Sequence, residues 1–294
     1  MQETSKSFNR HTYIEATYLD TPYHNMIDTH SHLDEEEFAE DLEEVILRAK
    51  DAGVNHILVP GICLKDTPHL LDVCRSHPGY LFPMIGLHPE NIMDEDYHTV
   101  LHQLENLLVE NMDAKTCPTI AIGEVGIDLY WDDTHRTEQL EVFEHQIKWA
   151  EKYKLPLIIH SRNAHSELME IMERHRSSNL TGIFHCFTGN EDEARELLTF
   201  PGFMLGIGGV LTFKNSTLRE VVKKAIPLSR IVLETDAPYM SPVPHRSKRN
   251  ESAHVRLVAE KLAEIYECEF DNIVLQTTSN ALQVFKKLTF FDKK

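Results

Sequence analysis

Met26-Ile27-Asp28-Thr29-His30-Ser31-His32 is the stretch on which the reading of the fold turns. Met26–Thr29 has the length and apolar start of a strand buried on both faces, and polar side chains follow at once. His30 and His32 stand two apart, the period that sends side chains of an extended chain to the same side. Seven further short apolar runs lie downstream: His56–Val59, Leu81–Ile85, Thr119–Ile122, Leu157–Ile159, Gly182–Phe184, Phe203–Gly206 and Ile231–Leu233.

Amphipathic segments with readable caps separate these runs. Asp34 with Glu37 forms a capping-box pattern for a helix whose Phe38, Leu42, Val45 and Ala49 share a face and which Gly53 closes. Thr67-Pro68 opens a second helix. Val100, Leu104 and Leu107 line a third, and Leu140, Phe143, Ile147 and Ala150 a fourth. Asn190 with Glu193 repeats the capping pattern, and Ser216 precedes Leu218, Val221, Val222 and Ala225. Strands alternating with helices specify a barrel or an open doubly wound sheet. No GxGxxG follows the first run and no P-loop occurs, so the nucleotide-binding sheet lacks its marks. The count of eight and the polar strand ends favour an α/β fold, a single (β/α)8 barrel of the TIM type. Such a barrel needs roughly 250 residues. Residues 1–25 are expected to be an N-terminal extension and residues 26–294 the barrel.

In such barrels the site lies where the strands end. Here the ends read His30 and His32; His88; Glu124; His160, Ser161 and Arg162; His185 and Cys186; and Glu234, Thr235 and Asp236. A lone histidine at a strand end is usually just a satisfied polar residue, and His-x-His by itself says little. Four histidines and two carboxylates at one barrel end are a different matter. They would be costly to bury unless ions or mutual pairing satisfied them. The metal-ligand set read from this is His30, His32, Glu124, His160, His185 and Asp236, with Glu124 placed to bridge two ions. His88 is read either as a substrate contact or as a loop cap. Arg162 is read as a phosphate clamp or as a carboxylate partner. Asp128 and Tyr130 look like supporting or wall residues, and Cys186 like a buried structural thiol.

With those residues in hand, the sequence resembles the TatD family of metal-dependent deoxyribonucleases, within the amidohydrolase-like barrels. The matching motifs run from Asp28–Asp34 through Gly86–Pro89, Gly123–Asp128, His160–Arg162, His185–Gly189, Thr212–Asn215 and Glu234–Tyr239 to Pro244–Glu251 and Ser279–Ala281. Ser247 and Ser252 depart from the glycine and proline that such relatives often carry. The resemblance implies a hydrolase of DNA ends working with two divalent metal ions (Mg, Mn or Zn). Asp236 and Glu124 would be catalytic, Asp236 both binding metal and accepting a proton from the attacking water. Expected substrate contacts are His88, Arg162, Tyr239 and the basic segment His245, Arg246, Lys248 and Arg249.

Bulk composition limits the alternatives. With 29 basic and 47 acidic residues the formal net charge is −18, unsuited to a protein that coats nucleic acid. It does not exclude an enzyme that meets phosphate through bound cations. Five cysteines with no CxxC pair argue against a disulfide framework and for a cytoplasmic setting. No apolar run suits a membrane span. The expected substrate is therefore a DNA end or short single-stranded DNA, trimmed from the 3′ end. The competing readings are an esterase, lactonase or deacylase acting on a small molecule or aminoacyl-tRNA, and a catalytically silent binding protein. The cluster His245–Arg249 leans towards phosphate.

Overall fold

A computed structural model describes residues 25–92, 96–130 and 133–291; apart from Asn25, the expected N-terminal extension lies outside them. Eight parallel strands are hydrogen-bonded in chain order: β1 (Met26–Asp28), β2 (Val54–Val59), β3 (Leu81–Ile85), β4 (Ala121–Asp128), β5 (Leu157–Arg162), β6 (Gly182–Phe184), β7 (Phe203–Ile207) and β8 (Ile231–Leu233). β8 returns to β1, with Thr29 N–H donating to Leu233 O at 3.0 Å and His32 N–H to Ala237 O at 2.8 Å. The result is a (β/α)8 barrel.

Among the described residues the helices are α1 (Leu42–Asp51), α2 (Thr67–Ser76), α3 (Tyr97–Asn111), α4 (Arg136–Tyr153), α5 (His165–Arg174), α6 (Glu191–Leu197), α7 (Leu218–Ala225), α8 (Val255–Tyr266) and α9 (Phe270–Val284). The capping box at Asn190 and Glu193 forms at the start of α6 as the sequence implies. The one at Asp34 and Glu37 does not. Arg249 Nη1 donates to Glu37 O, the carbonyl that a helix begun at Asp34 would have used for Asp41 N–H. Asp41 N–H turns to Phe38 O instead, so a 3-10 turn over Glu36–Phe38 precedes α1.

Alternation along the strands makes two apolar layers. Side chains such as Leu81, Ile85, Ile159, Phe184 and Leu205 face the helices. Ile27, Leu58, Phe82, Met84, Ile158, Ile183, Met204 and Val232 fill the barrel interior. At the amino-terminal end of the strands, Ala281, Val284, Phe285 and Leu288 join that interior cluster. They recur at the three- and four-residue spacing of one helical face, so the end of α9 and the turn after it stopper the barrel. No helix among the described residues is long and apolar enough to cross a membrane.

Candidate active site

The same alternation builds the other end. Two residues beyond interior Ile158 stands His160, beyond Ile183 stands His185, and beyond Val232 stands Glu234. Strand β4 needs a further device. Its register with β5 runs Ile122↔Leu157 then Val125↔Ile159, so three steps on β4 match two on β5. The extra residue is a bulge, which re-aims side chains, and Glu124 lies there, 3% exposed. Gly126 pairs with His160 at φ +142, and a Cβ there would stand 1.9 Å from His160 O. Only glycine lets β4 and β5 approach so closely. Cys186 (φ 48) and Asp236 (φ 56) are left-handed, the local strain typical of functional loops.

These elements converge on Glu124. Its Oε2 lies 3.2 Å from His30 Nε2 and 3.7 Å from His32 Nε2, while Asp236 Oδ1 lies 3.7 Å and 3.6 Å from the same two nitrogens. The two Nε2 atoms are 3.2 Å apart. Its other oxygen, Oε1, is 3.0 Å from His160 Nδ1, 3.0 Å from His185 Nε2 and 3.4 Å from His88 Nε2. Donor atoms bound to one ion at about 2.1 Å in tetrahedral array sit about 3.4 Å apart, so the spacing fits a cation on the His30–His32 side. His30, His185 and Asp236 converge likewise, as do His88, Glu124 and His160. Two imidazole nitrogens and two carboxylate oxygens so crowded in a buried cup form a donor set that zinc or manganese would satisfy.

The electrostatics are tightly paired. Desolvation would raise Glu124, yet His185, His88 and His30 and the bond to His160 hold it well below the usual carboxylate range. Asp236 is likewise lowered, burial being outweighed by its bond to His32 and by His185 and His30. Burial pushes His30 down to about 4, with His185 beside it acting in the same direction. Against the same desolvation, the bond to Asp236 and the Glu124 charge raise His32 to about 9. Burial also opposes the charge on His160, yet Asp128 and Glu124 lift it to about 10.

Behind the cup stands a layer of buried supports. Asp128 Oδ2 is 2.8 Å from His160 Nε2, which turns the other ring nitrogen inward. From α4, Gln139 bonds both the N–H and the C=O of Asp128, and Gln146 those of Leu87. Asp28 accepts from Thr235 N–H and hydroxyl, tying β1 to the loop after β8; burial pushes this carboxyl up to about 7. Asn250 Nδ2 donates to Thr235 O and Tyr239 O. Among these supports only Asp128 has a legible role in the sequence; Glu234, at the end of the eighth run, stands two residues beyond interior Val232.

The expected substrate contacts divide. His88 caps the following turn, its Nδ1 accepting from Glu90 N–H, while its Nε2 faces Glu124. Arg162 is exposed, its guanidinium 3.6 Å from the Tyr130 ring centre. Tyr239, 48% exposed, sets its ring against His32 and donates its hydroxyl to Glu35. His245 stacks on His254, and exposed Arg246 lies over the Phe213 ring. Lys248 is exposed. Arg249 is tied to α1 and the turn before it: its planar fork makes two 2.7 Å bonds to Asp41 and a third to Glu37 O. Ser247, where the resemblance calls for glycine, adopts φ 66.

A parallel barrel with a histidine–carboxylate cup at the carboxyl ends of its strands defines a class, the metal-dependent hydrolase barrels. The model of the TatD related DNase family matches residues 27–286, and the chain belongs to that family. It is 37% identical over 261 residues to the uncharacterized metal-dependent hydrolase YabD of Bacillus subtilis, covering 89% of this chain and 99% of the relative. It is 30% identical over 269 residues to the 3'-5' ssDNA/RNA exonuclease TatD of Erwinia amylovora, covering 88% and 99%. The crystal structure of YjjV, a TatD homologue from Escherichia coli, superposes with a TM-score of 0.81 at 31% identity, covering 89% of this chain and 98% of that one. The protein is a metal-dependent hydrolase of the TatD family.

Proposed function

We propose that the protein is a deoxyribonuclease that trims the 3′ ends of single-stranded DNA with two divalent cations. The observation that carries this reading is the divided contact of Glu124, whose Oε2 addresses His30 and His32 while Oε1 addresses His160, His185 and His88. A carboxylate facing two nitrogen sets is built to bridge. His30, His32 and Asp236 would serve one cation, and His160 and His185 the other, with His88 beside it. When bound, such a pair of ions stabilises the attacking and leaving oxygens of a phosphodiester displacement.

The protein's own groups supply the rest. Asp236 stays anionic at neutral pH and its side chain is 14% exposed, so it can accept the proton of an entering water. Asp128 fixes the ring of His160. Arg162, Tyr239, Arg246 and Lys248 are the exposed groups assigned to substrate, Arg246 and Lys248 giving local positive charge on an acidic molecule. The nucleic-acid assignment draws on the Erwinia relative's description as a 3'-5' ssDNA/RNA exonuclease.

Chelated protein, reloaded with manganese, zinc or magnesium, should shorten 5′-labelled single-stranded DNA to a ladder of products. A 3′-labelled strand should release its label as mononucleotide. Hydrolysis of model carboxylic esters or lactones with no cleavage of either strand would overturn the assignment.

A further inference from the structure

Glu234 has no part in the divided contact, yet its carboxyl group is wholly buried at the barrel's functional end. Its Oε1 accepts the Cys186 N–H at 2.5 Å and lies 3.7 Å from His185 Nδ1. Two polar atoms there have no partner among the described residues, Glu234 Oε2 and His185 Nδ1. The neighbouring strands explain how the carboxylate comes to be there. On β7 the interior position beyond Met204 is Gly206, and a Cβ at that position would stand 2.1 Å from Glu234 Oε2. The carboxylate just beyond β8 therefore occupies the space a β7 side chain would have taken and reaches across to the residues that follow β6. The left-handed turn at Cys186 points its N–H back towards the same oxygen.

We infer that Glu234 is a positioning residue for His185, receiving its Nδ1–H so that the Nε2 lone pair is presented to the cup. The inference rests on the reading of His185 as a metal ligand. A backing acceptor of this kind fixes both the tautomer and the plane of a ligating imidazole, and its loss typically costs about 10- to 100-fold in metal affinity. The distance of 3.7 Å is closed by a modest tilt of either side chain, which metal binding at Nε2 would favour. Gly206 is the companion requirement, since any side chain there displaces the carboxylate.

Zinc affinity should be measured on chelated protein for the wild type, Glu234→Gln, Glu234→Leu and Gly206→Ala, alongside ¹⁵N imidazole spectra of the zinc-loaded forms. In the wild type, His185 should carry its proton on Nδ1, hydrogen-bonded and slow to exchange. Glu234→Gln, which keeps an acceptor oxygen, should preserve that signature and bind zinc only a few-fold more weakly. Glu234→Leu and Gly206→Ala should lose the protected proton, with affinity about 10- to 100-fold lower. A merely structural Glu234 would lower the melting temperature and leave both readouts unchanged. A wild-type His185 that binds through Nδ1, or whose Nδ1–H exchanges freely, would overturn the inference even if the leucine and alanine variants failed to fold. If wild-type protein takes up no zinc at all, the ligand reading fails instead.

Discussion

At the amino-terminal end of its strands the barrel is filled with Ile27, Leu58, Phe82 and Val232 and stoppered by Phe285 and Leu288. One layer further along the same strands stand His30, Glu124, His160, His185 and Glu234, nearly all as deeply buried. The two ends are built on the same eight strands and lie at nearly the same depth of burial. They differ in what burial does for them. At the apolar end each side chain withdrawn from water stabilises by about 1.5–3 kcal/mol and asks only for good packing. At the polar end each withdrawn charge is costly unless a partner meets it, and the shifts of Glu124, His32 and His160 record that pairing. The lower layer holds the barrel shut; the upper one spends stability on chemistry.

Substitutions at the two ends should therefore fail in different ways. Glu124→Gln removes the shared carboxylate, and the folded variant should show no detectable turnover and a reduced metal content by elemental analysis. Asp236→Asn should lower kcat by about 10²–10⁴-fold if it is the proton acceptor. Near wild-type rates in either variant with metal still bound would move these residues to a structural role. At the other end, Phe285→Ala should cost about 3–5 kcal/mol of unfolding free energy in denaturant titration. Its metal stoichiometry and activity per folded molecule should stay unchanged. A Phe285→Ala protein that is stable but inactive would collapse the contrast between the ends.

Asp128→Asn tests whether the supports belong with the upper layer. It keeps the shape but withdraws the charge behind His160, and metal affinity should fall by about 10- to 100-fold. The smallest effect is expected at the rim. Replacing Arg246 and Lys248 with alanine should raise KM for single-stranded DNA and lower the log–log salt slope by about 0.7 per charge removed. Their kcat on a small phosphodiester should be unaltered. Arg249→Ala should instead lower the melting temperature by freeing Asp41 and leave the salt slope as it was. An Arg249→Ala that changed only the slope would place it in the substrate set.

The contrast between the ends also sets what could be read from the sequence. Strands β3, β6 and β8 end where their apolar runs end, so the runs locate them. β4 and β5 continue through Asp128 and Arg162, because the pleat goes on after hydrophobicity has given way to chemistry. An apolar-run criterion stops short there by its nature. The His-x-His pair and the carboxylates were legible because their chemistry is unusual for strand ends. The bulge that turns Glu124 inward leaves no compositional mark, and neither does the commitment of Arg249 to Asp41, 208 positions away. The stripe Ala281, Val284, Phe285 and Leu288 recurs at helical spacing, but its destination inside the barrel depends on closure of the whole sheet.

The stopper formed by α9 and the turn after it has a consequence for traffic. Together with Ile27, Leu58, Phe82 and Val232, which fill the bore, it leaves the cup facing the carboxyl-terminal rim alone among the described residues. Under the proposed reading a nucleic-acid end would arrive from that rim, and its cleaved fragment would depart from the same side.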